Sequence, residues 1–136
     1  MTGLCAFHHM GIACADPEVV EAFYRRHFGF ERARVIPAAD GQVVFLRNGN
    51  AYLELFKATV DASRKAGDGA GPTGPGWRHL AFKVDDIEAK LAEMGQDARV
   101  TLGPLQFDEI IPGWRTVWVA DPEDNIVEIS QGYVDQ

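Results

Sequence analysis

An internal repeat constrains the fold of this chain more than any other feature of its sequence. His9 and His79 each open an apolar run, and each is followed seven residues later by an aspartate. Near the end of each half a glutamate, Glu54 or Glu128, interrupts another apolar run. A repeat of this length predicts two similar structural modules, each of which contributes one histidine and one glutamate.

Capping and turn signals occur in the same order in both halves. Asp16-Pro17 is typical of a helix start and Gly29 of a helix end, and Asp86 and Gly95 take the corresponding places in the second half. One strand precedes each helix and three follow it. The predicted strands are 7–15, 30–36, 42–47 and 51–57 in the first half, and 78–84, 98–102, 114–120 and 126–130 in the second, with 103–113 as a loop or short strand.

This order predicts an α+β fold built from two βαβββ modules. Because a sheet must bury one of its faces, we expect the modules to form a partly open, barrel-like mixed sheet with the helices on its outer face. We assign residues 1–57 to the first module, 58–76 to a Gly/Pro-rich linker and 77–136 to the second module, all within one structural domain.

Composition argues against several kinds of partner. The chain of 136 residues has a net charge of −7, whereas nucleic acid is bound through basic surfaces. No apolar run reaches the roughly 18 residues of a membrane span, and no signal-peptide pattern is present, so we expect a cytoplasmic protein without membrane contact. Cys5 and Cys14 are separated by nine residues of extended chain, which is too far for a disulfide, and we expect both to be buried free thiols.

The repeated glutamates are the strongest indication of chemistry. Leu53 and Leu55 flank Glu54, so strand alternation places the glutamate on the face opposite the core, and Glu128 has an equivalent setting. A carboxylate in a strand interior is costly without a counter-charge, which a divalent zinc, nickel, cobalt, manganese or iron ion would supply. The alternative is a barrel mouth with solvated glutamates and hydrogen-bonded histidines. The candidate metal ligands are His9, Glu54, His79 and Glu128.

Five motifs occur in order along nearly the whole chain. They are His9-Met10-Gly11-Ile12 through Asp16, Phe23-Tyr24 through Phe28-Gly29-Phe30, Tyr52-Leu53-Glu54-Leu55, His79-Leu80-Ala81-Phe82 with Asp86, and Asp121-Pro122-Glu123-Asp124-Asn125-Ile126-Val127-Glu128. Together they resemble the vicinal oxygen chelate superfamily, which includes glyoxalase I, bleomycin-resistance proteins, fosfomycin-modifying enzymes, methylmalonyl-CoA epimerase and extradiol dioxygenases. The complete His/Glu/His/Glu set is most similar to that of glyoxalase I.

The resemblance implies a metal-dependent lyase or isomerase that acts on a small α-oxygenated carbonyl or a hemithioacetal-type substrate through a metal-stabilised enediolate. Glu128 is the candidate catalytic base, and Glu54 is the second candidate. Ala13 and Ala58 stand where bacterial glyoxalase I has an arginine and an asparagine, so the implied cosubstrate is glutathione or another thiol. The resemblance also implies a homodimer, and the linker 58–76 is long enough either for a site shared between two chains or for one closed within a single chain.

Two other functions remain open. One is an Fe(II)-dependent extradiol-type dioxygenase, and the other is a non-catalytic, ligand-sequestering protein similar to bleomycin-resistance proteins. His8 and His27 have no counterpart in the repeat and are predicted to be structural or surface residues. Trp118 is an aromatic that either lines the cleft or packs in the core. The candidate substrate-binding residues are Tyr52, Trp77, Trp114 and Arg115, with core packing or an exposed salt bridge as their alternative roles.

Overall fold

The computed structural model describes residues 3–60 and 74–136. They fall into two compact units, one within Met1–Ala62 and one within Ser63–Gln136. Residues 61–73 of the predicted linker lie outside the described residues. Among those that are described, no helix is long and apolar enough to cross a membrane.

Both units contain the predicted order of elements. The first unit consists of β1 (His9–Cys14), α1 (Pro17–Phe28), β2 (Glu31–Ala38), β3 (Gly41–Asn48) and β4 (Ala51–Lys57). The second consists of β5 (Leu80–Lys83), α2 (Ile87–Met94), a short 3-10 turn (Gly95–Asp97), β6 (Arg99–Gln106), β7 (Arg115–Ala120) and β8 (Ile126–Gln131). The prediction of an α+β fold with βαβββ twice is confirmed.

Each unit has one mixed four-stranded sheet, with the strand order β1-β4-β3-β2 in the first and β5-β8-β7-β6 in the second. The first strand of each unit pairs in parallel with the last, and the remaining neighbours pair antiparallel. The described strands of each unit thus form a sheet that is not closed into a barrel.

Local capping interactions begin both helices where the sequence predicts. The Val19 N–H donates to the Asp16 side chain at 3.4 Å, and the Ala89 N–H donates to the Asp86 side chain at 3.1 Å. Helix α1 ends at Gly29, whose φ of 70° lies in the left-handed region that glycine adopts readily. Because these signals are local, they position each helix directly after the strand that carries the repeated histidine.

The core of each unit lies between its helix and one face of its sheet. Leu53 is 3 % exposed and Leu55 is fully buried, so Glu54 between them points to the face away from α1. Val127 and Ile129 are fully buried around Glu128 in the same way. The largest fully buried apolar side chains are Val20, Tyr24, Leu46, Leu55, Ile87, Val117, Val119, Val127 and Ile129.

Two predictions for the strands need correction. Strand pairing begins at His9, opposite Tyr52, so Cys5 precedes the sheet and is exposed, whereas Cys14 is buried. Both cysteines are free thiols, but the expected burial of Cys5 is wrong because no neighbouring strand covers it. Strand β6 continues to Gln106 through register shifts against β7, and those irregularities explain why the simple alternation pattern ended early.

Candidate functional site

Strands β1 and β4 bring His9 and Glu54 together in the first unit. Gly11 is the register partner of Glu54, and His9 lies two residues before Gly11, on the same face of the sheet. The His9 Nε2 and Glu54 Oε1 atoms are 3.4 Å apart, and their side chains are 36 % and 28 % exposed. The predicted shared face of this histidine and glutamate is therefore present within the unit.

Strands β5 and β8 repeat this arrangement in the second unit. Ala81 is the register partner of Glu128, and His79 directly precedes β5. The His79 Nε2 and Glu128 Oε1 atoms are also 3.4 Å apart, with side chains 26 % and 18 % exposed. The two repeats thus hold their histidine and glutamate at the same distance, and the second pair is more shielded from solvent than the first.

Among the described residues, neither glutamate of these pairs has an arginine or lysine as a counter-ion. Within residues 3–60 and 74–136, the only ion-pair partner of Glu54 is His9 and that of Glu128 is His79. By contrast, Glu21 pairs with Arg32 at 2.6 Å. The glutamates of the repeat therefore have no fixed positive charge beside them in the described part of the chain.

The donor atoms of each pair suit a divalent metal ion. Imidazole nitrogens and carboxylate oxygens bind zinc at about 2.0–2.2 Å, so two such donors on one ion lie about 3–3.5 Å apart. The separation of 3.4 Å in both pairs matches this range. In the described part of the chain, no group of three or more His, Cys, Asp and Glu side chains could hold a metal. Each unit supplies two donors, and a four-ligand site stays a prediction.

An aromatic residue on the adjacent hairpin strand faces each glutamate. Phe45 is the register partner of Glu54, and Trp118 is that of Glu128. The centroids of the Trp118 and His79 rings are 6.3 Å apart. Trp118 is 8 % exposed, and its buried Nε1–H has no acceptor among the described residues. A buried unpaired donor costs about 1–3 kcal/mol, so this N–H is a candidate ligand-binding group.

The turn between β7 and β8 fixes the strand that carries Glu128. The fully buried Asp121 accepts hydrogen bonds at 2.9 Å from the Glu123 N–H, the Asn125 N–H and the Asn125 side-chain amide. These bonds satisfy the carboxylate, and they set where β8 begins. Glu128 is therefore positioned from a rigid turn rather than from a loop.

The candidate substrate-binding residues differ in their surroundings. Tyr52 lies beside His9 in the strand register, and its ring stacks on that of His8, with centroids 5.1 Å apart. Trp77 is 93 % exposed. Trp114 donates to Ser130 Oγ at 3.3 Å and packs among neighbouring aromatic rings. Tyr52 is thus the one of these three that lies next to a histidine of the repeat.

Arg115 forms a two-point ion pair with Glu88 on helix α2, with one N–O distance of 2.9 Å and a second that is shorter. The hydrogen bond from Arg115 lowers the pKa of the Glu88 carboxyl, and the same bond raises the pKa of the arginine. The arginine therefore forms the salt bridge that was its alternative role.

His8 is a contact of the candidate site that sequence reasoning missed. Alternation suggested that His8 and His9 point in opposite directions, but His8 precedes β1 and does not follow the alternation of the strand. The Nδ1 atoms of the two histidines are 2.7 Å apart. The only sign of this contact in the sequence was that the two histidines are adjacent at the start of the repeat.

Comparison with known proteins gives consistent matches. Residues 6–129 match the model of the Glyoxalase/Bleomycin resistance protein/Dioxygenase superfamily. The uncharacterized protein YaeR of Escherichia coli (strain K12) is 36 % identical over 97 residues, which cover 69 % of this chain and 72 % of YaeR. Human mitochondrial methylmalonyl-CoA epimerase is 29 % identical over 89 residues, or 64 % of this chain and 51 % of the epimerase. Among solved structures, lactoylglutathione lyase from Agrobacterium tumefaciens is 26 % identical in sequence. Its crystal structure matches this chain with a TM-score of 0.63, and the match covers 96 % of each chain.

Proposed function

Because this chain belongs to the Glyoxalase/Bleomycin resistance protein/Dioxygenase superfamily, we propose that it is a metal-dependent lyase or isomerase similar to glyoxalase I. Its proposed substrate is a small α-oxygenated carbonyl compound or a hemithioacetal. The observation that carries the proposal is the histidine–glutamate pair repeated in both units, with the same N–O separation of 3.4 Å. Similarity to a lactoylglutathione lyase and to an epimerase supports this reaction class.

The proposed ligands of one divalent zinc, nickel, cobalt, manganese or iron ion are His9, Glu54, His79 and Glu128. When bound, such an ion would stabilise negative charge that develops on a substrate oxygen. The donor types and their spacing support this assignment, and so does the absence of an arginine or lysine partner for either glutamate in the described residues.

Glu128 is the proposed general base. Its carboxylate takes a proton from the hydroxyl-bearing carbon next to the substrate carbonyl and returns it to the former carbonyl carbon, while the hydroxyl proton passes to the former carbonyl oxygen, so that substrate and product are isomers. Two observations favour Glu128 over Glu54 for this role. The Glu128 side chain is 18 % exposed against 28 % for Glu54, and the register partner of Glu128 is Trp118, whose buried indole N–H has no acceptor in the described residues. This donor is proposed to bind the substrate oxygen on which charge develops.

The proposed cosubstrate is glutathione or another thiol. Ala13 lies on β1 opposite Phe56 and offers no charged group at the place where bacterial glyoxalase I has an arginine. A thiol other than glutathione is therefore tested beside it. A homodimer in the cytoplasm is part of the same proposal, and light scattering of the purified protein measures the oligomeric state.

Metal analysis combined with activity assays tests the proposal. The protein is stripped with a chelator, reloaded separately with zinc, nickel, cobalt, manganese or Fe(II), and assayed with methylglyoxal and several thiols. We expect one metal ion for the two units of each chain, and we expect turnover only in the metal-loaded protein. His79→Ala and Glu128→Gln should lose metal or turnover, while Glu109→Gln, in an exposed turn of the same unit, serves as the matched control.

Two results would contradict this function. The proposed function would lose its basis if the wild-type protein bound no metal at micromolar metal concentrations. Oxygen uptake with a catechol by the iron-loaded protein, without turnover of methylglyoxal, would replace the lyase with a dioxygenase.

A further inference from the structure

The side chain of His8 contacts both His9 and the residue beside His9 on the neighbouring strand. Its Nδ1 is 2.7 Å from His9 Nδ1, which is at the short end of the range for protein hydrogen bonds. Its ring stacks on Tyr52 with an interplanar angle of 12° and centroids 5.1 Å apart. Tyr52 is in turn the register partner of His9. The orientation of the His8 ring is thus defined by a hydrogen bond and by a ring stack.

A hydrogen bond between two Nδ1 atoms requires that one nitrogen carries the proton and the other accepts it. A neutral imidazole has one N–H donor and one acceptor nitrogen. The His9 Nε2 faces Glu54 Oε1 at 3.4 Å and must present its lone pair if it is to bind a metal ion. The proton of His9 then resides on Nδ1 and is donated to Nδ1 of His8.

We propose that His8 is a positioning residue for His9, and this inference rests on the proposed function because it takes His9 to be a metal ligand. His8 Nδ1 accepts the His9 Nδ1–H bond and thereby selects the tautomer of His9 whose Nε2 is free to bind metal. The same bond fixes the plane of the His9 ring, which also packs edge-on against Phe45 with centroids 5.5 Å apart.

No equivalent of the His8–His9 bond is present in the part of the second unit that the structure describes. Arg78 occupies the position before His79, and its guanidinium donates to the Gly74 carbonyl at 3.0 Å instead. Within residues 74–136 the His79 ring contacts Glu128 and Trp118, and neither contact supplies an acceptor for its Nδ1. The two halves therefore orient their histidines differently, and loss of His8 should affect the first pair alone.

The zinc affinities of two His8 variants distinguish the effect of its hydrogen bond from the effect of its ring stack. His8→Phe keeps an aromatic ring on Tyr52 but has no acceptor, and we expect zinc affinity to fall about 10- to 100-fold, as is typical when the partner of a metal-binding histidine is lost. His8→Asn keeps an acceptor oxygen near the position of Nδ1 without the ring, and we expect zinc affinity within about threefold of wild type, given that the acceptor is what the ligand needs. Arg78→Ala changes the equivalent position in the repeat and should leave zinc affinity unchanged. Competition with a chromophoric chelator measures the zinc affinity of the wild type and of the three variants.

A spectroscopic measurement on the metal-free protein makes the inference independent of the loaded enzyme. Nitrogen-15 NMR of the histidine rings should show a larger fraction of His9 with its proton on Nδ1 in the wild type than in His8→Phe, in which the Glu54 carboxylate alone favours the proton on Nε2. If the wild type binds no zinc, the proposed function fails, whereas His8→Phe with wild-type zinc affinity and an unchanged tautomer overturns the positioning role. If His8→Phe and His8→Asn lost zinc affinity to the same extent, the effect would come from the ring stack on Tyr52. That result would also overturn the positioning role of His8.

Discussion

Gly11 lies directly opposite Glu54 in the parallel pairing of β1 with β4, and a Cβ atom at Gly11 would stand 3.6 Å from Glu54 Oε1 and 3.3 Å from the Phe56 ring. The second of these contacts is tighter than most side chains accept, so the ring must move by a few tenths of an ångström. In the second unit the equivalent position is occupied by Ala81. An alanine Cβ at Gly11 would thus displace the Phe56 ring but make an ordinary contact with the Glu54 carboxylate, so only a larger side chain would take the space beside that carboxylate.

Substitution of Gly11 should therefore affect the site more than the fold. In Gly11→Ala the removal of glycine from a strand stabilises the protein by about 0.5–1 kcal/mol, which offsets the displacement of Phe56, and we expect the melting temperature to change by only a few degrees. Zinc affinity should stay close to wild type in Gly11→Ala, whose Cβ makes only an ordinary contact with Glu54, and it should fall in Gly11→Val. Ala81→Gly is the control in the other unit. Unchanged zinc affinity in Gly11→Val would show that Glu54 needs no such space.

The two glutamates should respond differently to replacement by glutamine. Glu128→Gln removes the proposed base, and we expect kcat at saturating metal to fall about 10²- to 10⁴-fold, the usual contribution of a general base. Glu54→Gln should chiefly weaken metal binding, so that excess metal restores part of its turnover. Glu31→Gln, on the exposed strand β2, controls for the loss of one charge. A larger loss of kcat in Glu54→Gln than in Glu128→Gln would exchange the two roles.

Trp118→Phe removes a buried N–H that has no acceptor in the described residues while it keeps most of the aromatic surface. Because an unpaired buried donor costs about 1–3 kcal/mol, the loss of apolar contacts should be largely offset, and we expect the free energy of unfolding to stay within about 1 kcal/mol of wild type. Because the indole is proposed to donate to the substrate oxygen, the same change should lower kcat about 10²- to 10³-fold.

The exposed Tyr133 provides the control for Trp118, since Tyr133→Phe also removes one polar hydrogen from an aromatic side chain of the same unit, one that is 48 % exposed. Chemical denaturation measures stability, and steady-state kinetics with saturating metal measure kcat. Full activity together with a stability loss of several kcal/mol would identify Trp118 as a packing residue only.

Glu21 should govern part of the acid sensitivity of the first unit. Its carboxylate accepts hydrogen bonds from Arg32 at 2.6 Å and 3.0 Å, and this interaction with Arg32 is the main cause of its lowered pKa. A lowered pKa in the folded state stabilises the protein above the ordinary glutamate pKa of about 4.3, and this contribution is lost as the pH falls through the folded-state value.

Glu21→Gln should therefore destabilise the protein by about 2 kcal/mol at pH 7, since a hydrogen bond to a charged group is worth about that much. The difference from wild type should shrink as the pH falls below 4. Urea denaturation across this range measures it, with Glu31→Gln as the control. A difference that stays constant down to the lowest pH would mean that the ion pair does not produce the effect.

Much of the fold could be predicted because its signals are local. The aspartate caps and the glycine after α1 are short-range features, and alternation around Glu54 and Glu128 correctly indicated the face that each carboxylate occupies. Superfamily membership was also correctly recognised from motifs spread along the chain. These features depend on neighbours in sequence, which is why the amino-acid pattern alone sufficed.

What the sequence missed depends on contacts between distant residues. The end of β6 was misplaced because its register against β7 shifts twice. The ion pair of Arg115 with Glu88 joins a strand to a helix, and no periodicity indicates such a pairing. The bond from His8 to His9 was missed because strand alternation was applied one residue before the strand begins. The convergence of all four proposed ligands stays a prediction.

The parallel pairing of β1 with β4 joins the first strand of a unit to its last, and β5 and β8 do the same. Such long-range pairings form slowly during folding, because a long loop must close before they gain any contact energy. Neither histidine meets its glutamate until that closure is complete. A nascent chain that has not yet reached residue 54 holds no assembled donor pair, so metal capture would report the completion of a unit rather than assist its early folding.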